Sequence, residues 1–232
     1  MHHGPMRLRG KTAAVTGASS GLGAAIARAL ADEGAAVVGY ARRFDGAPGV
    51  PAAGAIRPVK LDVSHEAAVA AAFVASGPID ALINCAGDGR FGPIAETDVA
   101  DLRAMLDVHI VGAFLCAREL LRQPRPAHPR HVVNISSVVA FRAFPDCGAY
   151  TAAKEGLRGF TRVLVEEARA LDVRVTGFYP GAIDTPIWDS RPDFDRGAML
   201  APQRVAALVV DVLCRPELAI EEILVMPPAG AL

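Results

Sequence analysis

The sequence predicts an α/β fold: a doubly wound parallel sheet with helices on both faces, three α/β/α layers in a single domain. Two observations predict it. Short apolar runs rich in Val, Ile and Ala alternate along the chain with longer Ala- and Leu-rich segments of helical period. The 232 residues are 52% apolar and 21% charged, enough for one sizeable core, and no repeat, linker or change of composition marks a second domain. One domain over 1–232 is expected, with residues 1–9 flexible.

Taken in order, residues 11–16 (KTAAVT) and 35–40 (AAVVGY) read as strands. They bracket 21–33, where Leu22, Ile26 and Leu30 recur every four residues and line one helical face. Further strands are expected at 56–61, 79–84, 130–136, 173–178 and 222–226, with helices at 65–75, 98–122, 148–170 and 202–214. Strands separated by helices imply parallel pairing through right-handed crossovers, with ligands bound at the carboxyl ends of the strands. The exception is 44–55 (FDGAPGVPAAGA), where Gly and Pro would break a helix, so a loop is expected at that edge of the sheet.

Charge narrows the function classes. The net charge is -1 and no long run of Lys or Arg occurs, so no nucleic-acid or anionic-membrane partner is expected. No stretch reaches the ~18 uncharged apolar residues of a membrane helix, and residues 1–10 lack the apolar core of a signal peptide. Cys85, Cys116, Cys147 and Cys214 are far apart with no C-x-x-C pair, which suits reduced thiols in a cytoplasmic protein and implies neither a disulfide framework nor a metal. The expected partners are a small molecule and another copy of the chain. Of 24 cationic residues only Lys11, Lys60 and Lys154 are lysines.

Directly after the first strand, Thr16-Gly17-Ala18-Ser19-Ser20-Gly21-Leu22-Gly23 opens a helix. Glycines let the backbone turn sharply and approach a pyrophosphate, while free N–H groups and the positive helix end attract the anion. The second strand ends in Tyr40-Ala41-Arg42-Arg43. An acid there would bind a ribose 2'-hydroxyl and repel a 2'-phosphate; arginine does the reverse. Arg42 and Arg43 therefore point to NADP(H), with NAD(H) as the second choice.

Tyr150 and Lys154 stand four apart at a helix start, so both project from one face. A phenol with an ordinary pKa near ~10 shuttles protons poorly, but a neighbouring ammonium and a cationic nicotinamide stabilise its phenolate. In a chain that uses arginine nearly everywhere else, a lysine here suits a compact ammonium able to reach ribose hydroxyls and the phenol. Ser136 ends the strand at 130–136 and Ser137 follows it, where a hydroxyl could hold a substrate oxygen.

Taken jointly these motifs resemble the short-chain dehydrogenase/reductase family over nearly the whole chain. The resemblance implies the Rossmann fold and reversible hydride transfer between NADP(H) and a carbonyl or secondary alcohol. It selects Ser137, thirteen residues before Tyr150, as the residue that holds the substrate oxygen, with Ser136 as fallback. Asn84-Cys85-Ala86-Gly87 looks like the family's N-x-A-G segment, in which Asn84 braces the sheet and Ala86 and Gly87 line the cofactor. Asp62 and Val63 match the adenine contact, and Pro180, Gly181, Ile183 and Thr185 match the stretch against the nicotinamide. Gly17, Ser19, Ser20, Gly21, Leu22, Gly23, Arg42 and Arg43, with Asn84, Tyr150 and Lys154, complete the expected cofactor site.

The chain departs from the family at His109, where an asparagine usually holds the water that relays protons to the lysine. A histidine there implies a modified relay that could titrate near neutrality. The resemblance makes 182–202 a substrate lid, with Phe91, Ala140, Phe141, Phe144 and Trp188 as pocket wall. Few charges in that wall favour a neutral substrate. A homodimer or homotetramer through the helices at 98–122 and 148–170 is also implied. The competing readings are a non-catalytic NAD(P)-binding sensor, which would have no use for Tyr150, and an epimerase or dehydratase, for whose extra sugar-nucleotide domain the chain has no room.

Overall fold

The computed structural model describes residues 6–44, 56–126, 128–189, 191 and 193–230. Among them seven strands form one sheet: β1 (Thr12–Thr16), β2 (Ala36–Ala41), β3 (Ile56–Lys60), β4 (Ala81–Asn84), β5 (Arg130–Ile135), β6 (Val173–Pro180) and β7 (Glu222–Val225). Their spatial order is β3-β2-β1-β4-β5-β6-β7, and every neighbouring pair is parallel. The winding reverses between β1 and β4, which opens a crevice at their carboxyl ends.

Because side chains alternate across a strand, each strand feeds two cores. Val15 joins Ile83 and Val133 beneath α1 (Gly21–Asp32) and α6 (Pro202–Leu213), where Leu22, Ile26 and Leu30 meet Val205, Val209 and Leu213. Ala14 joins Val38, Leu82 and Val132 on the other face, under α2 (Glu66–Ser76), α4 (Gly112–Arg122) and α5 (Gly148–Arg169). Strands covered on both faces read as continuous apolar runs, and all six residues of β5 are buried.

Two differences from the sequence expectation have local causes. The single helix expected at 98–122 is α3 (Val99–Leu106), then a wider turn over Asp107–Val111 in which the Gly112 N–H bonds the Asp107 carbonyl, then α4. Val63 packs against this point, and a Cβ on Gly112 would lie 2.6 Å from it. Of the 1–9 stretch expected to be flexible, residues 6–9 are tied down: Arg7 bridges Glu33 and Asp211 at 2.7 Å each, and the Leu8 N–H donates to the Glu33 carbonyl. Residues 1–5 lie outside the described residues, as does the expected 44–55 loop apart from Phe44. Pro58 is accommodated because β3 is an edge strand, where one N–H can be dispensed with.

All four cysteines are free thiols. Among the described residues no helix is long and apolar enough to cross a membrane.

Candidate active site

The carboxyl ends of β1, β2, β4, β5 and β6 surround a cavity of about 860 Å³. Its first half is built by glycine. Gly17 leaves β1 at φ +72°, and a Cβ there would come within 2.9 Å of the Ala86 Cα and the Cys85 carbonyl. Gly23, in the first turn of α1, lies so close beneath the loop that a Cβ would stand 2.2 Å from the Gly17 carbonyl oxygen. Thr16 fastens the arrangement, its Oγ1 accepting from the Cys85 and Ala86 N–H groups at 3.0 Å. Ser20 caps α1 by backbone conformation only and makes no side-chain cap bond, so the first N–H groups of the helix are left for a bound anion. Such a cradle fits a dinucleotide pyrophosphate.

Gly17, Ser19, Ser20, Gly21, Leu22, Gly23, Arg42, Arg43, Asp62, Val63, Ala86, Gly87, Pro180, Gly181, Ile183 and Thr185 all line this one cavity. Asn84 does not. It is 5% exposed beneath the floor, and its Nδ2 donates to Asn134 Oδ1 at 2.8 Å and to the Ala113 carbonyl at 3.4 Å. Asn84 therefore braces β4 against β5 and α4, and its expected cofactor contact is withdrawn.

In the second half, Ser137, Tyr150 and Lys154 converge. The Ser136 hydroxyl donates to the Lys154 carbonyl at 3.0 Å, which leaves Ser137 to meet the Tyr150 phenol. Lys154 is 5% exposed; its Nζ donates to the Ile135 carbonyl at 3.0 Å and lies 5.6 Å from the Tyr150 ring centre. Burial pulls the Lys154 ammonium down to about 8. It pushes the Tyr150 phenol up from its ordinary value, outweighing the hydrogen bond from Ser137. The lysine was expected to draw the phenol down; in this dry wall desolvation dominates, and the phenol is held protonated.

His109 is 3% exposed, with Nε2 2.8 Å from the Asp88 carbonyl and its ring edge-on to Tyr150 at 5.8 Å. A carbonyl only accepts, so Nε2 carries the proton and Nδ1 is left as a buried atom without a partner. Gly87 makes room for the imidazole, since a Cβ there would lie 2.1 Å from Cε1. Burial, with Lys154 adding to it, drops the His109 pKa to about 3, so the titration expected near neutrality does not occur and the ring stays neutral.

His131, 6% exposed on β5, is likewise lowered to about 4 by burial. Both folded values lie below the unfolded value near ~6.5, so the stability they contribute is complete above that pH and is lost as pH falls toward 4 and then 3. Urea unfolding should show stability falling from pH 7 to 5 with a slope that steepens toward about two protons from this pair near pH 5. His109→Asn and His131→Asn should each remove about one of them.

On the substrate side, Phe91 stacks on Trp188 at 6.1 Å and meets Tyr150 edge-on at 5.4 Å, and Phe144 lines the same space. Phe141 does not join them. It turns away onto Tyr179 at 4.9 Å, with the Arg158 guanidinium 3.9 Å from its ring centre, and Ala140 is fully buried outside the cavity wall. Two wall residues that spacing did not single out, Arg191 and Phe194, come from the 182–202 segment. Asp88 and Cys147 also line the wall, each adjacent to an expected motif. Arg191 amends the expectation of an uncharged wall. Arg196 clamps the segment by bonding Asp184 at 2.6 Å, Asp189 at 2.8 Å and the Thr185 carbonyl at 3.1 Å.

Comparison with known proteins places this geometry in context. The family model described as short chain dehydrogenase matches residues 11–195. A cis-4-hydroxycyclohexanecarboxylate dehydrogenase of Sinomonas cyclohexanicum is 36% identical over 225 residues, 92% of this chain and 87% of that protein. A sepiapterin reductase of Chlorobaculum tepidum is 34% identical over 155 residues, 66% of this chain and 64% of that protein, so the match spans less than two thirds of that relative. A crystal structure of a short chain dehydrogenase from Burkholderia cenocepacia in complex with NADP superposes with a TM-score of 0.85 at 27% identity, covering 96% of this chain and 99% of that one.

Proposed function

The chain belongs to the short-chain dehydrogenase family, and on that premise we propose that it is an NADP(H)-dependent oxidoreductase acting on a carbonyl or secondary alcohol. The observation that carries this is the meeting of the Ser137 hydroxyl, the Tyr150 phenol and the Lys154 ammonium in the cavity that the glycine loop enters. When bound, the nicotinamide supplies or accepts the hydride. In the reducing direction Ser137 donates a hydrogen bond to the substrate oxygen, and Tyr150, held protonated by its surroundings, donates the proton as negative charge develops there. Lys154 presents its ammonium to the phenol and the cofactor ribose. His109, neutral, replaces the family's asparagine beside the relay, with the unpartnered Nδ1 as an acceptor for its water. Phe91 and Trp188 wall the reacting carbon with apolar surface, and 182–202 closes over it.

A sensor on the same fold would bind the dinucleotide without needing a buried ammonium. Removing Lys154 from water is costly, and the chain bears that cost at the one place where proton transfer uses it. The relatives named as dehydrogenases and reductases support turnover in the same way.

For the cofactor, Arg42 and Arg43 line the end of the cavity beyond β2, and Ala41 stands where an acid would exclude a 2'-phosphate. The NADP found in the related crystal structure agrees with this assignment. Arg42→Ala should raise the KM for NADPH by about ten-fold and leave that for NADH in place. An unchanged NADPH value would remove the assignment. The overall reading is tested by following NADPH and NADH absorbance against a panel of ketones and aldehydes; no oxidation with any of them would count against it.

The assembly that suits this surface is a homodimer or homotetramer. Val111 at the end of the wide turn before α4, Phe114 on α4 and Val163 on α5 expose apolar side chains, and Leu224 does so on the edge strand β7. A cytoplasmic setting suits the thiols, since burial pushes Cys85 and Cys116 up to about 12 and keeps both protonated.

A further inference from the structure

We propose that the substrate carries a carboxylate and that Arg191 binds it, at the end of the pocket away from the reacting carbonyl. This rests on the oxidoreductase reading and names the substrate class for the same site. Arg191 lines the cavity half-buried, its guanidinium carbon 5.4 Å from the centre of the Phe91 ring and 4.8 Å from that of Phe194. Two ring faces hold the group by cation–π attraction and shield it from water.

Among the described residues no carboxylate comes within 4.0 Å of it. The contrast with the neighbouring arginine is direct: Arg196 takes both Asp184 and Asp189 as partners, whereas Asp193, exposed and as near to Arg191 in sequence as Asp189, makes no ion pair with it. Asp146 and Arg191 both act on the Cys147 thiol, with opposite sign, yet do not pair with each other. The ring faces attract the guanidinium but accept no hydrogen bond from its edge, so its N–H donors are left without a carboxylate to meet among the described residues. An anion in the pocket would meet them.

The geometry also orients that anion. Phe91 packs T-shaped on Tyr150 and carries Arg191 over its face, so the Phe91 ring contacts both the phenol and the guanidinium. A substrate whose carbonyl sits on Ser137 and Tyr150 crosses that ring to reach Arg191. Asp88 lines the Tyr150 end, where its charge acts on the phenol, and one of its oxygens is buried without a partner. That charge repels a carboxylate from the reacting end; of the other acids on the substrate side of the wall Asp189 is paired with Arg196, and Arg191 faces the remaining one, Asp146, as the cation there. A single planar fork suits a carboxylate, which it can meet with two parallel hydrogen bonds; a phosphate dianion would call for further cations, and Arg42 and Arg43 lie beyond β2 at the cofactor end.

The test uses 4-acetylbenzoate and its neutral methyl ester as probes, with calorimetric titration of the full chain in the presence and absence of NADP+. The wild type should bind the acid about ten-fold or more tightly than the ester. Arg191→Gln should bring the two within about two-fold while leaving the ester's Kd in place, and Arg191→Lys should keep part of the preference. Equal affinities in the wild type, or a preference that survives Arg191→Gln, would overturn the proposal. NADPH oxidation by the same protein preparation, assayed separately with each probe, separates the two levels. Turnover of both probes without preference keeps the oxidoreductase reading and removes the carboxylate site, whereas preference without turnover does the opposite.

Discussion

Tyr150→Phe is expected to lower kcat for carbonyl reduction by about 10³-fold while the affinity for NADPH stays close to that of the wild type. The substitution deletes one oxygen. The ring keeps its edge contacts with Phe91 at 5.4 Å and His109 at 5.8 Å, so the wall retains its shape. What disappears is the proton donor and the hydrogen bond shared with Ser137, which costs about 1 kcal/mol of stability. Steady-state rates and an NADPH titration on the same preparation distinguish the two effects. Turnover at the wild-type rate would show that the proton comes from another group.

The second large effect is expected at Gly23. A methyl group there would be placed 2.2 Å from the Gly17 carbonyl oxygen, and the obstacle is backbone, which cannot swing aside as a side-chain tip can. Gly23→Ala should push the loop off α1, destabilise the protein by about 1–3 kcal/mol and weaken NADPH binding by about 10²-fold or more. Gly159 provides the control. It lies inside α5 with nothing within 4 Å of a Cβ, and Gly159→Ala should stabilise by about 0.5–1 kcal/mol with no change in binding. Urea unfolding and fluorescence titration of NADPH measure both outcomes. Equal behaviour of the two variants would mean that loop and helix are not in register as described.

Much of the site was legible because its chemistry is carried by short local patterns. The glycine loop is a run of eight residues whose spacing alone implies a turn into a helix. Tyr150 and Lys154 share a face because they are four apart in α5. The misses concern direction and environment. Phe141 sits four residues after the Ser137 that the motif selects, yet it points onto Tyr179 under Arg158, a contact between α5 and β6 that no spacing encodes. Asn84 belongs to the right segment, but its amide is used across the sheet by Asn134. Arg191 was one of several polar residues in 182–202 until folding laid it over Phe91.

The pKa values divide in the same way. Which groups can titrate is a property of residue type, so a histidine at 109 and a lysine at 154 suggested charge near neutrality. How strongly each is charged depends on the water left around it, which packing from remote elements decides. Burial against β5 and α5 takes His109 to about 3 and Lys154 to about 8 and holds the phenol between them protonated. By itself the sequence determined the parallel α/β frame, the glycine turn into α1 and the placing of Tyr150 and Lys154 on one helical face, because period and spacing act over a few residues. Only the tertiary structure decided which aromatics line the pocket and which charges stay unpaired, because those depend on contacts between residues far apart in the chain.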